Sequence, residues 1–191
     1  MNEPMIVLID GENLILRFQE MLAEGRKIKP DVIYVKDRYL WCPNIFGAIY
    51  NLLRVSYYTT VVGDADAIEQ LSNEIAKLRY TCKADVNLKL KGSLNPHIYK
   101  KEHHRHKNKS VDINITIDAL RHTYNKSVRR VYLMSGGGDY IPLIQEIMRH
   151  GVSVKVGAFS SGCNNELKYI ADDFRYLDDK YFELNDKASS S

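Results

Sequence analysis

The stretch RVYLMSGGGDYIPLIQEIMRHGVSVKVGAF, residues 130–159, reads as strand, turn, helix and strand. RVYLM (130–134) is a short, nearly continuous apolar run, the pattern of a strand buried on both faces of a parallel sheet. Three glycines and Asp139 make a bare turn after it. From Tyr140 to His150 the chain keeps Ile144, Ile147 and Met148 on one helical face, accepts Pro142 in its first turn and stops at Gly151. VSVKVGAF (152–159) is again β-branched and apolar. Such a unit belongs to an α/β sheet with right-handed crossovers.

The alternation continues outward. MIVLI (5–9) is a second buried-strand run, VSYYTTVV (55–62) is β-branched and aromatic, and DVNLKLK (85–91) alternates as an exposed edge strand does. Ile68, Leu71, Ile75 and Leu78 recur at helical spacing, as do Ile113, Ile117, Leu120 and Tyr124, while Leu167, Ile170 and Phe174 mark a last helix. Residues 24–54 are ambiguous, because VIYVKDRYLW (32–41) fits a strand or a helix. The expectation is one α/β domain over residues 1–182, with a disordered tail at 183–191.

A chain of 191 residues, 45% hydrophobic and 27% charged, is long enough to bury a core. It has no run of roughly 18 apolar residues and no apolar leader, so the expected location is cytoplasmic, away from membranes. Cys42, Cys82 and Cys163 are far apart and in no CxxC pair, which argues against a disulfide framework or a zinc knuckle. The net charge of +3 is unevenly spread: between Lys89 and Lys109 seven Lys or Arg face one acid, Glu102, a local +6. Four of the six histidines (97, 103, 104 and 106) lie there too, and would add positive charge below pH about 6.5. Such a block is a footprint for a polyanion, or else a solvated loop.

Chemistry in a parallel sheet is expected at the carboxyl ends of the strands, where strand order reverses. LIDGEN places Asp10 directly after the first run, Gly11 at the turn and Asn13 at the start of a helix. Alone, such an Asp is commonly an N-cap. MSGGGD places Asp139 in the same relation to its own helix, so the two carboxylates converge if the strands are neighbours. KSVDINITIDAL adds Asp112, in the first turn of a helix N-capped by Ser110, where the helix dipole also favours an acid. Asp118 lies six residues on, about 120° further round, and borders the same pocket without sharing a face with Asp112. Clustered carboxylates repel unless a cation joins them, and oxygen ligands favour Mg²⁺ or Mn²⁺. One such ion, or a pair about 3.5–4 Å apart, activates water for phosphodiester cleavage. A basic strip ending at Lys109, beside Asp112, completes the outline of a nuclease. A phosphate cradle is the weaker reading of the glycines, since no Lys-Ser/Thr follows them. Tyr57, Tyr58 and Tyr99 are candidates for stacking on unpaired bases, with packing as the alternative role.

LIDGENL, KSVDINITIDAL, LMSGGGDYIPLIQEIMRHGVSVKVGAF and LKYIADDFRYLDD together resemble the NYN domain, in the LabA-like branch of the PIN-like nucleases. The resemblance runs from Met5 to about Asp179 and is thinnest between residues 20 and 80. It implies a Rossmann-like three-layer α/β/α fold with a mostly parallel sheet, and a Mg²⁺- or Mn²⁺-dependent endoribonuclease. Asp10, Asp112 and Asp139 match the family's acidic residues, Asn13 the polar residue of its first motif, and Ser135 that of its Ser-Gly-Asp loop. Gly137 stands where that loop usually carries its first Asp, so one ion site is weakened unless Asp118 or Glu12 compensates. The expected metal ligands are therefore Asp10, Asp112 and Asp139, with Asn13 and Ser135 orienting water or phosphate. Lys100, Lys101, Arg105, Lys107 and Lys109 hold the RNA backbone through salt-sensitive, sequence-blind contacts. RNA is the expected partner, and a homodimer is left open. The rival reading is an RNA-binding or protein-interaction module on the same fold, with catalysis lost through Gly137.

Overall fold

Every residue of the first apolar run, β1 (Met5–Asp10), is buried, and alternate side chains enter different cores. Met5, Val7 and Ile9 join one hydrophobic cluster, Ile6 and Leu8 the other. That two-sided burial is why the run shows no polar alternation. In the structure, a computed structural model describing residues 3–47, 51–83, 89–102 and 109–183, β1 is a central strand. It pairs in parallel with β4 (Leu52–Val62) on one side and β8 (Arg130–Met134) on the other. β7 (Asn95–Lys101) flanks β4, and β9 (Ser153–Ala158) then β10 (Asp173–Tyr176) extend from β8, all parallel. The order is β10-β9-β8-β1-β4-β7.

Helices cover both faces. α1 (Gly11–Ala23) and α2 (Ala65–Ala76) deliver Leu14, Phe18, Leu71 and Ile75 to the first cluster. α3 (Ser110–Tyr124) and α4 (Ile141–Arg149) deliver Val111, Ile115, Ile144 and Ile147 to the second. The Rossmann-like three-layer α/β/α expectation holds. Gly151 closes α4 at φ +73°, a left-handed position that glycine takes without strain. Two antiparallel ribbons lie outside the main sheet: β2 (Ile33–Val35) with β3 (Tyr39–Trp41), and β5 (Arg79–Lys83) with β6 (Lys89–Ser93). Two short helices, α5 (Leu167–Ile170) and α6 (Asp178–Tyr181), lie before and after β10 in the chain. No helix among the described residues is long and apolar enough to cross a membrane.

The structure corrects the sequence reading at several points. The expected last helix stops at Ile170, and Phe174 lies in an edge strand, β10. The part of 85–91 that is described belongs to the β5–β6 ribbon, not to the sheet edge; residues 84–88 lie outside the described residues. The edge opposite β10 is β7, inside the stretch read as a basic block or solvated loop, and Pro96 is at home there, since edge strands tolerate a missing donor. On α3 the periodic face Ile113, Ile117 and Tyr124 is exposed, and Val111, Ile115, Ala119 and Thr123 are buried instead. The ambiguous segment contains β2 and β3. Tail residues 184–191 lie outside the described residues.

Chain order places the site. From β1 the chain moves outward through β4 to β7, then returns across β1 to β8 and moves the other way. The loops leaving β1 and β8 therefore diverge at the carboxyl ends of adjacent strands, opening a crevice between them.

Candidate active site

Asp10 ends β1 in that crevice, 5% exposed, and its two oxygens do different work. Oδ1 caps α1 by accepting the Asn13 N–H at 3.0 Å, so the N-cap reading is correct for one oxygen. Oδ2 accepts the Ser135 hydroxyl at 3.0 Å and the Tyr140 hydroxyl at 3.2 Å. The same Tyr140 hydroxyl lies 3.0 Å from Asp112 Oδ1 in the first turn of α3. A phenol has one proton to donate, so Asp10 and Asp112 share it. Asp10 and Asp112 thus meet through Tyr140, a residue that sequence reading used only as the first residue of a helix.

Burial pushes the Asp10 carboxyl up to about 6, more than the Asn13 N–H and the Ser135 hydroxyl pull it down, and the charges of Asp112 and Glu12 push it further. The Tyr140 hydroxyl is raised by burial and then by the same two aspartates, so it stays protonated as a donor.

The glycine turn is held from outside. Gly136 N–H donates to Asn13 Oδ1 at 2.9 Å and Gly137 N–H to Ser135 Oγ at 3.2 Å. Two of its amides thus already serve side chains, which weighs against an anion cradle. Asn164 N–H donates to the Gly136 carbonyl, and its side chain packs on Gly138, where a Cβ would lie 2.2 Å from Nδ2. Gly137 differs: its φ is −75°, and a Cβ would sit 3.5 Å from Ser135 Oγ, in ordinary contact. Space does not demand glycine there.

The other expected residues divide. Asn13 and Ser135 position the turn and Asp10; Ser135 is fully buried. Asp139 is exposed on the 3₁₀ turn Gly138–Tyr140. Asp118 is occupied by Tyr58 Oη and Arg121, each at 2.7 Å. Glu12 accepts Thr60 Oγ1 at 2.5 Å and pairs with Lys101 Nζ at 2.8 Å. Neither is poised to replace the missing Asp. Ser110 is the first residue of α3 rather than its cap, because Lys109 takes the cap position without a side-chain bond. Lys100 and Lys109 are exposed, whereas Arg105, Lys107, His103, His104 and His106 lie outside the described residues. His97 stacks on Tyr58 with centroids 4.4 Å apart, and burial lowers its pKa, so it does not join the acid-charged set. Tyr57 and Tyr58 are core residues. Cys42 and Cys82 are buried thiols, as expected.

Whether these residues suit a cation is decided by donor chemistry. Asp10 and Asp112 offer only hard oxygens, with no His or Cys among the partners of Asp10. No group of three His, Cys, Asp or Glu among the described residues is arranged as a ready metal cage. Two carboxylates still fit Mg²⁺, which is commonly held by one or two of them plus water and substrate phosphate.

The model of the NYN domain matches residues 4–178. The chain belongs to the NYN domain family. NYN domains share the PIN-like nuclease fold, which at the family level supports a nuclease acting on RNA with divalent metal. No curated protein matches the chain. Among solved structures it is similar to a Vibrio parahaemolyticus protein of unknown function, 18% identical, with a TM-score of 0.57 over 95% of this chain and 97% of that one. That likeness concerns the fold.

Proposed function

We propose that this NYN chain is a Mg²⁺- or Mn²⁺-dependent endoribonuclease of the LabA-like branch, with Asp10 and Asp112 holding the ion. The observation that carries the reading is the single Tyr140 hydroxyl set between two carboxylates at the switch point of the sheet. Bound there, the ion supplies Lewis acidity toward a water and the scissile phosphate. Ser135 and Tyr140 fix the direction of Asp10 Oδ2, and the Oδ1 cap ties the carboxylate to α1. Asn13 holds the glycine turn against α1. Asp139 is the family-matched acid on that turn and a third ligand in the proposal. Lys100 and Lys109, with Arg105 and Lys107, hold the RNA backbone near the site. Lys101 acts first on Glu12, fixing its carboxylate at the end of β7.

A second reading has its own observation. Gly137 removes one family acid, and Glu12 and Asp118 are committed elsewhere, which favours an RNA-binding module with weakened catalysis. Cleavage of a labelled structured RNA in Mn²⁺, Mg²⁺ and EDTA separates the two, with wild type compared with Gly137→Asp. Metal-dependent cutting by wild type is the expected result. Cutting by Gly137→Asp alone would identify a nuclease fold disabled at one ligand. RNA binding in EDTA with no cutting by either chain would favour the module.

A further inference from the structure

α1, the end of β4 and α2 enclose a half-open groove of about 410 Å³. Glu12, two residues from Asp10 in the chain, lines it and is held there by Lys101 and Thr60. Ile15, Leu16 and Gln19 of α1 line it too, together with Asp37 and Arg38. Ala67, Gln70 and Leu71 of α2 face it from the other side.

The lining indicates what fits. Its acids, Glu12 and Asp37, are balanced by Arg38 and Lys101, so the groove has no excess charge to attract a phosphate. Leu16 is 51% exposed and Val62 36%, leaving aliphatic surface open to a flat ring. Gln19 donates its amide to Tyr34 and Asp37, and Gln70 donates to Glu74. Those bonds occupy the two Nε2 groups, and each amide retains an Oε1 acceptor for a polar edge. Apolar walls with a few fixed polar groups make a site for a neutral heteroaromatic ring. We propose that the groove receives the base of an unpaired RNA nucleotide next to the scissile phosphate, with Leu16 and Val62 flanking the ring and Gln19 and Gln70 reading its edge. The proposal rests on the ribonuclease reading for the phosphate at the carboxylate pair. It makes the protein selective for single-stranded RNA at one position beside the cut, since a paired base is not available to enter.

The test is equilibrium binding of two octaribonucleotide probes in EDTA, one carrying bases and one fully abasic, so that no cleavage is needed. Leu16→Trp and Val62→Trp fill the groove from exposed positions, and circular dichroism checks that each variant is folded. Wild type is expected to bind the base-bearing probe about tenfold more tightly than the abasic one, as for one stacked base. Either tryptophan variant should close most of that gap while binding the abasic probe as wild type does. Equal binding of both probes by wild type, or an unchanged gap in both variants, would overturn the groove. A gap that closes as expected in a protein that cuts no RNA in Mn²⁺ would retain the base site and discard the nuclease reading. Mn²⁺-dependent cutting with no gap would do the reverse.

Discussion

Asp10 is the residue on which stability and function pull in opposite directions. Its folded pKa of about 6 lies above the ordinary 3.8, so the folded protein gains from a protonated Asp10 at low pH and loses that gain as pH rises toward 6. Asp10→Asn keeps the Oδ1 cap and presents Nδ2 to the Ser135 and Tyr140 hydroxyls. In EDTA at about pH 8 the variant should therefore be more stable, by on the order of 2–3 kcal/mol, with the difference fading by about pH 4. Denaturant melts across pH measure this, and a variant less stable than wild type at pH 8 would refute the assignment of strain to Asp10. Gly137 offers the complementary test. A Cβ there makes only ordinary contacts, so Gly137→Asp should fold with a melting temperature close to wild type. Gly138→Ala should lose stability, because Asn164 occupies the space. The sequence showed Asp10 and Asp112, through the turn and first-turn positions they hold. It did not show Tyr140, because a tyrosine opening an apolar helix looks like core until the fold aims its hydroxyl at two acids.

At the scale of elements, the sequence was legible where burial is two-sided. β1, β8, α4 and β9 follow from continuous apolar runs and a glycine stop. β7 and β10 did not, since edge strands carry polar and charged residues, and NPHIYKK and DFRY lack the continuous apolar run. α3 misled for another reason. VDINITIDAL has apolar residues on two faces, and the bulkier stripe is not the one that meets the sheet. The smaller set, Val111, Ile115, Ala119 and Thr123, is buried. Ile115→Ala should then cost about 2–5 kcal/mol, the usual range for an emptied core position. Ile113→Ala, on the exposed face, should stay within about 0.5 kcal/mol. Equal costs would mean that the face of α3 is wrongly assigned.

Over the whole molecule, one topological fact gathers the chemistry: the chain leaves β1 and β8 in opposite directions, and Asp10 and the glycine turn lie at that divergence. Of the basic stretch, Lys100 is the last residue but one of β7 and Lys109 holds the cap position before α3. Replacing both by Ala should weaken RNA binding across sequences and flatten the salt dependence by about 0.7 per lysine in log–log slope for single strands. An unchanged slope would place the RNA backbone elsewhere. Everything proposed at this site turns on the Asp10–Asp112 pair holding the ion that cleaves RNA. The most direct measurement follows Mn²⁺ binding and RNA cleavage together in wild type and in Asp10→Asn. Wild type should bind Mn²⁺ and cut, and Asp10→Asn, though folded and more stable in EDTA, should do neither. Undiminished Mn²⁺ binding and cutting by Asp10→Asn would contradict it.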